Sequence, residues 1–189
     1  MRKYFYLAMV MLLSFMGCMQ ESNITGPVNQ IEKTQAHTII MLPAKADINI
    51  EDVFSTSQNI SGSTGGYLHL VKSYQAASGQ MINIDCELTV PANNYSFSNN
   101  RDITMQVSDI AGVDFYPSMT FNQPVILNFT ITGMDLTGID PDNVGFYYVD
   151  SNGNLAPTVN DGVSVDLNSG TMKVVNAELP HFSRWAYAR

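Results

Sequence analysis

The sequence predicts an all-β fold, an antiparallel sandwich preceded by a signal peptide and a flexible tether. Three observations carry that reading. From Gly65 onward, short runs rich in β-branched and aromatic residues recur at roughly the 8–12-residue spacing of sandwich strands. Turn-forming clusters separate them: "ASG", "PANN", "NQP", "DSNGN", "NDG", "NSG" and "LP". Such residues supply positive φ or bond their own backbone. No stretch carries a 3.6-residue apolar period long enough for a helix, which argues against helices layered on a parallel sheet.

Taken in order, the chain opens with "MRKYFYLAMVMLLSFMGC". Arg2-Lys3 is a positive start, Tyr4 to Met16 an apolar run, and Gly17-Cys18 a small residue before a cysteine. That is the layout of a secretory signal. The run is shorter than the ~20 residues a membrane-spanning helix needs, so residues 1–17 are expected to be removed. The end of the run, "SFMGC", resembles the lipobox of bacterial lipoproteins, with Gly17 at the fitting position and Met16 the less usual one. The resemblance implies that Cys18 receives a diacylglyceryl group and becomes an acylated, palmitate-type N-terminus after cleavage. Such chains anchor firmly, since each buried CH₂ contributes about 0.8 kcal/mol. Met19 follows the cysteine where an aspartate would signal inner-membrane retention, so the outer membrane is the expected location in the cell envelope.

Residues 19–36, "MQESNITGPVNQIEKTQA", show no period and few large apolar side chains, as a flexible tether would. "HTIIMLP" (37–43) is compatible with a short strand, and 44–66 reads as polar, turn-rich and mostly irregular. The tether is therefore drawn from Cys18 to residue 64, and the domain from 65 to 189. Its strands are expected at "YLHLVKSYQ" (67–75), "QMINIDCELTV" (80–90), "DITMQVS" (102–108), "VILNFTI" (125–131), "VGFYYVD" (144–150), "GVSVDL" (162–167), "TMKVVNAE" (171–178) and "HFSRWAYA" (181–188). Asn152-Gly153 is the strongest hairpin signal. In "FYYV", alternation buries either Phe146 and Tyr148 or Tyr147 and Val149.

"MINIDCELTV" alternates without a break: Ile82, Ile84, Cys86, Leu88 and Val90 against Asn83, Asp85, Glu87 and Thr89. Cys86 thus points with the apolar set. With Cys18 lipidated it has no partner, and its acidic neighbours are wrong for a reactive thiolate. It reads as core.

Charge narrows the partners. Charged residues are 14% and the net charge is −8, with no basic cluster beyond Arg2-Lys3. Nucleic-acid binders need such clusters, so nucleic acid is excluded as a partner. Removing 1–17 takes away only Arg2 and Lys3, leaving seven basic and 17 acidic residues, a net of −10. That surface is repelled by anionic lipid, which leaves membrane attachment to the anchor.

The order "GGYLHLV", "TVPANNYSF", "ITMQVS", "FYPSMTFNQPVILNF", "VGFYYVDSNGNLAP" and "HFSRWAY" resembles the ZU-five domain. That β-sandwich is shared by zonula occludens protein, netrin receptors and ankyrins, with relatives in exported bacterial proteins. The likeness spans about 65–189 and departs from the family at "TVPANNYSF", where the proline usually runs into glycine-alanine. It implies an interaction or scaffold module, and no binding residue carries over.

One triplet carries possible chemistry: His181-Phe182-Ser183. It resembles the self-cleaving His-Phe-Ser of some adaptor proteins. Ser183 would attack the Phe182 carbonyl, with His181 taking the hydroxyl proton. An N-to-O acyl shift and hydrolysis would follow, given a distorted amide and oxyanion donors. The alternative is packing in a last strand, with His181, Ser183, Trp185 and Tyr187 on one face and Phe182, Arg184, Ala186 and Ala188 on the other. "DPDN" (140–143) and "DSNGN" (150–154) offer oxygen ligands but sit where turns are needed. His37, His69 and His181 are too scattered in sequence to suggest a metal, and no cofactor motif occurs. The expected function is an anchored, non-enzymatic interaction or structural module with an unnamed protein or glycan partner. The alternatives are self-cleavage between Phe182 and Ser183, and an adhesin-like accessory binding carbohydrate or protein.

Overall fold

The computed structural model describes residues 37–47, 53–94 and 99–189. The leader (1–17), the lipidation candidate Cys18 and the segment through 36 lie outside the described residues. Eleven strands form two antiparallel sheets: β1 (Phe54–Ile60), β2 (Gly66–Gln75), β3 (Met81–Val90), β4 (Arg101–Val107), β5 (Gly112–Tyr116), β6 (Thr120–Thr132), β7 (Gly145–Val149), β8 (Leu155–Pro157), β9 (Gly162–Asp166), β10 (Thr171–His181) and β11 (Arg184–Ala188). One sheet runs β1-β4-β5-β11-β7-β8, the other β2-β3-β6-β10-β9. The all-β sandwich expected from the turn and alternation pattern is what the chain forms.

The core lies between the sheets. β3 turns Ile82, Ile84, Cys86, Leu88 and Val90 inward, and β6 adds Val125, Leu127, Phe129 and Ile131. The six-stranded sheet contributes Ile103, Met105, Phe115, Phe146 and Tyr187. Tyr187 stacks on Phe129 at 5.5 Å and meets Phe146 edge-on at 5.1 Å. Its hydroxyl donates to the Phe129 carbonyl, so the phenol's polar end is satisfied inside the apolar layer. In "FYYV" neither set alone is buried: Phe146 is core with half-buried Tyr148 packed against it, and Val149 is buried on the other side with Ile110 and Ala186.

Turn chemistry sets the hairpins. The turn at 77–79 joins β2 to β3, with Gly79 at φ 88°. Asn152-Gly153 sits in the β7–β8 hairpin, as its residues demand. Gly170 closes the β9–β10 hairpin at φ 62°, and an added Cβ there would stand 2.1 Å from the Met134 carbonyl oxygen.

Four expectations change. The stretch 44–66, expected to be mostly irregular, contains a full strand: β1 pairs with β4 along its whole length. Its exposed residues Ser55, Ser57, Gln58 and Asn59 hide a strand that only Phe54 and Ile60 anchor in the core. The sandwich also reaches back beyond Gly65 to residue 38. Ile40 and Leu42 are core, and the Ile40 N–H donates to the Tyr187 carbonyl at 2.9 Å. This segment takes the ladder position beside the end of β11, where β5 has stopped. "NQP" does not end a strand but lies within β6; 121–124 is unpaired by β3 and β10, a place that tolerates Pro124. Finally, 181–188 is not one strand.

That last difference has a clear cause. β10 belongs to the five-stranded sheet and β11 to the six-stranded one. The chain crosses between them at Phe182-Ser183, so alternation resets there. Phe182 is fully buried instead of sharing an outer face with Arg184, stacking on Phe115 at 5.0 Å and meeting Phe121 edge-on at 4.7 Å. Downstream, Trp185 through Ala188 are all buried, because the 38–42 segment and neighbouring strands cover the outer side as well.

Candidate functional site

Chemistry-bearing side chains gather at two places: the corner at His181-Phe182-Ser183, and the outer face of β2 and β3.

The corner is held by backbone bonds. Phe182 N–H donates to the Met119 carbonyl at 2.8 Å, and Phe115 N–H to the Ser183 carbonyl at 3.0 Å. The Ser118 hydroxyl reaches the Phe182 carbonyl oxygen at 3.5 Å, the far limit of a hydrogen bond. Ser183 lines an open cleft of about 390 Å³ with Asp114, Tyr116, Ser118, Asp150 and Arg184. Arg184 grips Asp114 through two bonds of 2.8 and 3.0 Å. That pairing raises the guanidinium's already high pKa. The imidazole of His181 meets Tyr148 edge-on at 4.7 Å and lies 5.5 Å from the Trp185 ring. Among the described residues, no hydrogen bond joins His181 to Ser183. The triplet thus has Ser183 beside a cleft and a hydroxyl at the carbonyl, while its histidine packs among rings.

The second place combines residues that sequence reasoning had set apart. β2 and β3 pair with His69 directly opposite Glu87 and Val71 opposite Asp85. The His69 Nε2 stands 2.8 Å from Asp85 Oδ1 and 3.8 Å from Glu87 Oε1. The three donor atoms all lie within 4.8 Å of one another. Tyr67, two residues before His69 on the same face, sets its ring 5.9 Å from the imidazole. Its phenol is pushed up to about 12, first by desolvation, then by the neighbouring Glu87 and Asp85 carboxylates. His69 looked isolated because the pairing crosses a turn. Counting outward from the 77–79 turn would have placed it opposite Glu87.

The other candidates resolve plainly. Cys86 is free and fully buried, and burial pushes its thiol far up. Asp140 caps the short 3₁₀ turn Pro141–Asn143, accepting from Asp142 N–H and the Asn143 side chain. Asp150 accepts from the Asn152 and Asn154 N–H groups and from the Asn154 side chain, and these bonds hold its carboxyl below the usual range. Asp140 and Asp150 therefore bond their own turns. The His37 ring lies tilted against Tyr147 at 4.8 Å, so the three histidines occupy separate surroundings. Among the described residues, the exposed aromatics Tyr67 and Tyr116 sit on different sheets, so they form no row of rings for stacking sugars.

No family model, no curated protein and no solved structure gives a significant match to this chain.

Proposed function

We propose that this chain is a lipoprotein of the bacterial cell envelope, tethered at Cys18 in the outer membrane, that displays a ZU-five-like sandwich as a non-enzymatic interaction or structural module. The observation that supports it best is how the reactive side chains are used. Cys86 fills the core, His181 packs between Tyr148 and Trp185, and the turn aspartates bond their own loops. What the sandwich offers outward is surface: a polar sheet face carrying Tyr67, Val71 and Met81 as exposed apolar groups. The motif order from "GGYLHLV" to "HFSRWAY" supports the ZU-five likeness.

The test is to express the full chain with its leader and fractionate the cells. Anchoring predicts outer-membrane recovery and an N-terminal peptide that begins at acylated Cys18. Cys18→Ser should release the protein from the membrane. Recovery of wild type as a soluble protein with an unmodified cysteine would end this reading.

A second reading, self-cleavage between Phe182 and Ser183, is favoured by one observation, the Ser118 hydroxyl directed at the Phe182 carbonyl beside an open cleft. Denatured intact mass of protein aged at neutral pH decides it. Loss of Ser183–Arg189 in wild type but not in Ser183→Ala establishes cleavage. An unbroken chain over days removes it.

A further inference from the structure

We infer that His69, Asp85 and Glu87 form a binding site for a zinc-class divalent ion on the outer face of β2 and β3. The inference is independent of the anchor and of the module's partner.

Two donors bound to one tetrahedral ion at about 2.1 Å stand about 3.4 Å apart. The separations here, 2.8 Å from Nε2 to Asp85 and 3.8 Å from Nε2 to Glu87, bracket that edge. The three donor atoms converge from two adjacent strands and share one side of the sheet. Small side-chain rotations bring all three onto a common ion without moving the backbone. The ring that binds is the neutral imidazole with its hydrogen on Nδ1 and the Nε2 lone pair on the ion; any proton on Nε2 is released to solvent or moves to Nδ1 by way of water, and water completes the coordination.

The backbone under the site is rigid. β3 is an inner strand, bonded to β2 on one side and to β6 on the other. The apolar residues between the ligands, Leu70, Ile84, Cys86 and Leu88, are buried in the core. Tyr67 flanks the site, its ring centroid 5.9 Å from that of His69. Lys173 borders the same face beyond Thr130, in a shallow depression of about 220 Å³ with Asp85 and Glu87. It faces the carboxylates from two strands away.

Donor chemistry selects the ion. One imidazole with two carboxylates suits zinc and its first-row neighbours. Magnesium and calcium prefer all-oxygen shells.

The experiment is isothermal titration of the detergent-solubilised full chain with Zn²⁺, with Co²⁺ absorption as an optical readout and Mg²⁺ and Ca²⁺ as comparisons. The expected result is one equivalent of Zn²⁺ per chain and no saturable uptake of Mg²⁺ or Ca²⁺. His69→Ala, Asp85→Asn and Glu87→Gln should each abolish that equivalent. His37→Ala and Cys18→Ser should leave it intact. His69, Asp85 and Glu87 lie on the outer face of the sheet, away from the core, and circular dichroism checks that each variant is folded. No saturable Zn²⁺ uptake overturns the inference. So does an equivalent that survives His69→Ala, or one lost only with His37 or Cys18.

Discussion

β3 and the segment from β10 to β11 are both apolar-rich and both lie against the core, yet they follow different rules. Along β3 every second residue is buried from Ile82 to Val90. The segment 171–188 begins the same way and then departs twice. At Asn176, φ is 50° and the ladder to β6 shifts between Val174 and Ala177. The extra residue is a β-bulge, fixed by its N–H bonding Asn128 and its amide bonding Asp161. At Phe182-Ser183 the chain leaves one sheet for the other. Period two reports burial only while a strand keeps one sheet on one side of the core. A strand that changes sheets presents a new face, and no count of residues foresees it.

Phe182 offers the most severe test of this contrast. If it plugs the corner, Phe182→Ala removes a ring packed against Phe115 and Phe121, and should cost about 3–5 kcal/mol in urea unfolding. A loss below about 1 kcal/mol would mean that the corner is not core, and the contrast with β3 would collapse. Ser183→Ala at the same corner should stay within about 0.5 kcal/mol, which separates the packing residue from its neighbour.

Cys86 tests the regular side. Its thiol is buried on the inward row of β3. Cys86→Ser places a hydroxyl there without a designed partner and should cost about 1–3 kcal/mol. Cys86→Ala should cost less than a large truncation such as Leu88→Ala, which is expected to lose about 2–5 kcal/mol. A Cys86→Ser protein as stable as wild type would show that β3 yields locally.

A smaller effect is expected from Arg184, the first residue after the crossing. Its bond to Asp114 lies at the surface, with Arg184 48% exposed and Asp114 14%. Arg184→Ala should cost about 0.5–1 kcal/mol, less at high salt. A larger loss would make this ion pair a determinant of where the chain crosses.

Turn aspartates give the mildest probe. Asp135, Asp150 and Asp166 are held below their ordinary pKa, in each case chiefly by a side-chain hydrogen bond within the turn. A depressed carboxyl contributes stability above its unfolded pKa, near 3.9, and loses it as pH falls through the folded value. Thermal melts between pH 6 and pH 2.5 should therefore fall at the acid end. Asp150→Ala should lower the melting temperature at pH 6 and reduce the acid-end fall. An unchanged acid dependence would show that the β7–β8 turn does not depend on the charge.

By itself the sequence determined the fold class, most strand positions, the hairpin at Asn152-Gly153 and the inward row of β3 with Cys86 in it. These are local properties: turn residues set backbone φ, and alternation sets which side of a pleat meets the core. β1 escaped because its exposed face is polar and its two core contacts, Phe54 and Ile60, are six residues apart. The segment at 38–42 reads as strand-compatible in "HTIIMLP", but its place in the sandwich escaped because its partner is the far end of the chain. Only the tertiary structure decided the candidate sites. The last strand splits at Phe182-Ser183 because the chain needs a residue to cross the sandwich, and the crossing turns Phe182 into core. His69 meets Asp85 and Glu87 because a hairpin brings residues that are distant in sequence into register. Periodicity describes what a segment shows to one neighbour, while a site depends on which segments become neighbours, and that is settled by packing two sheets around one core.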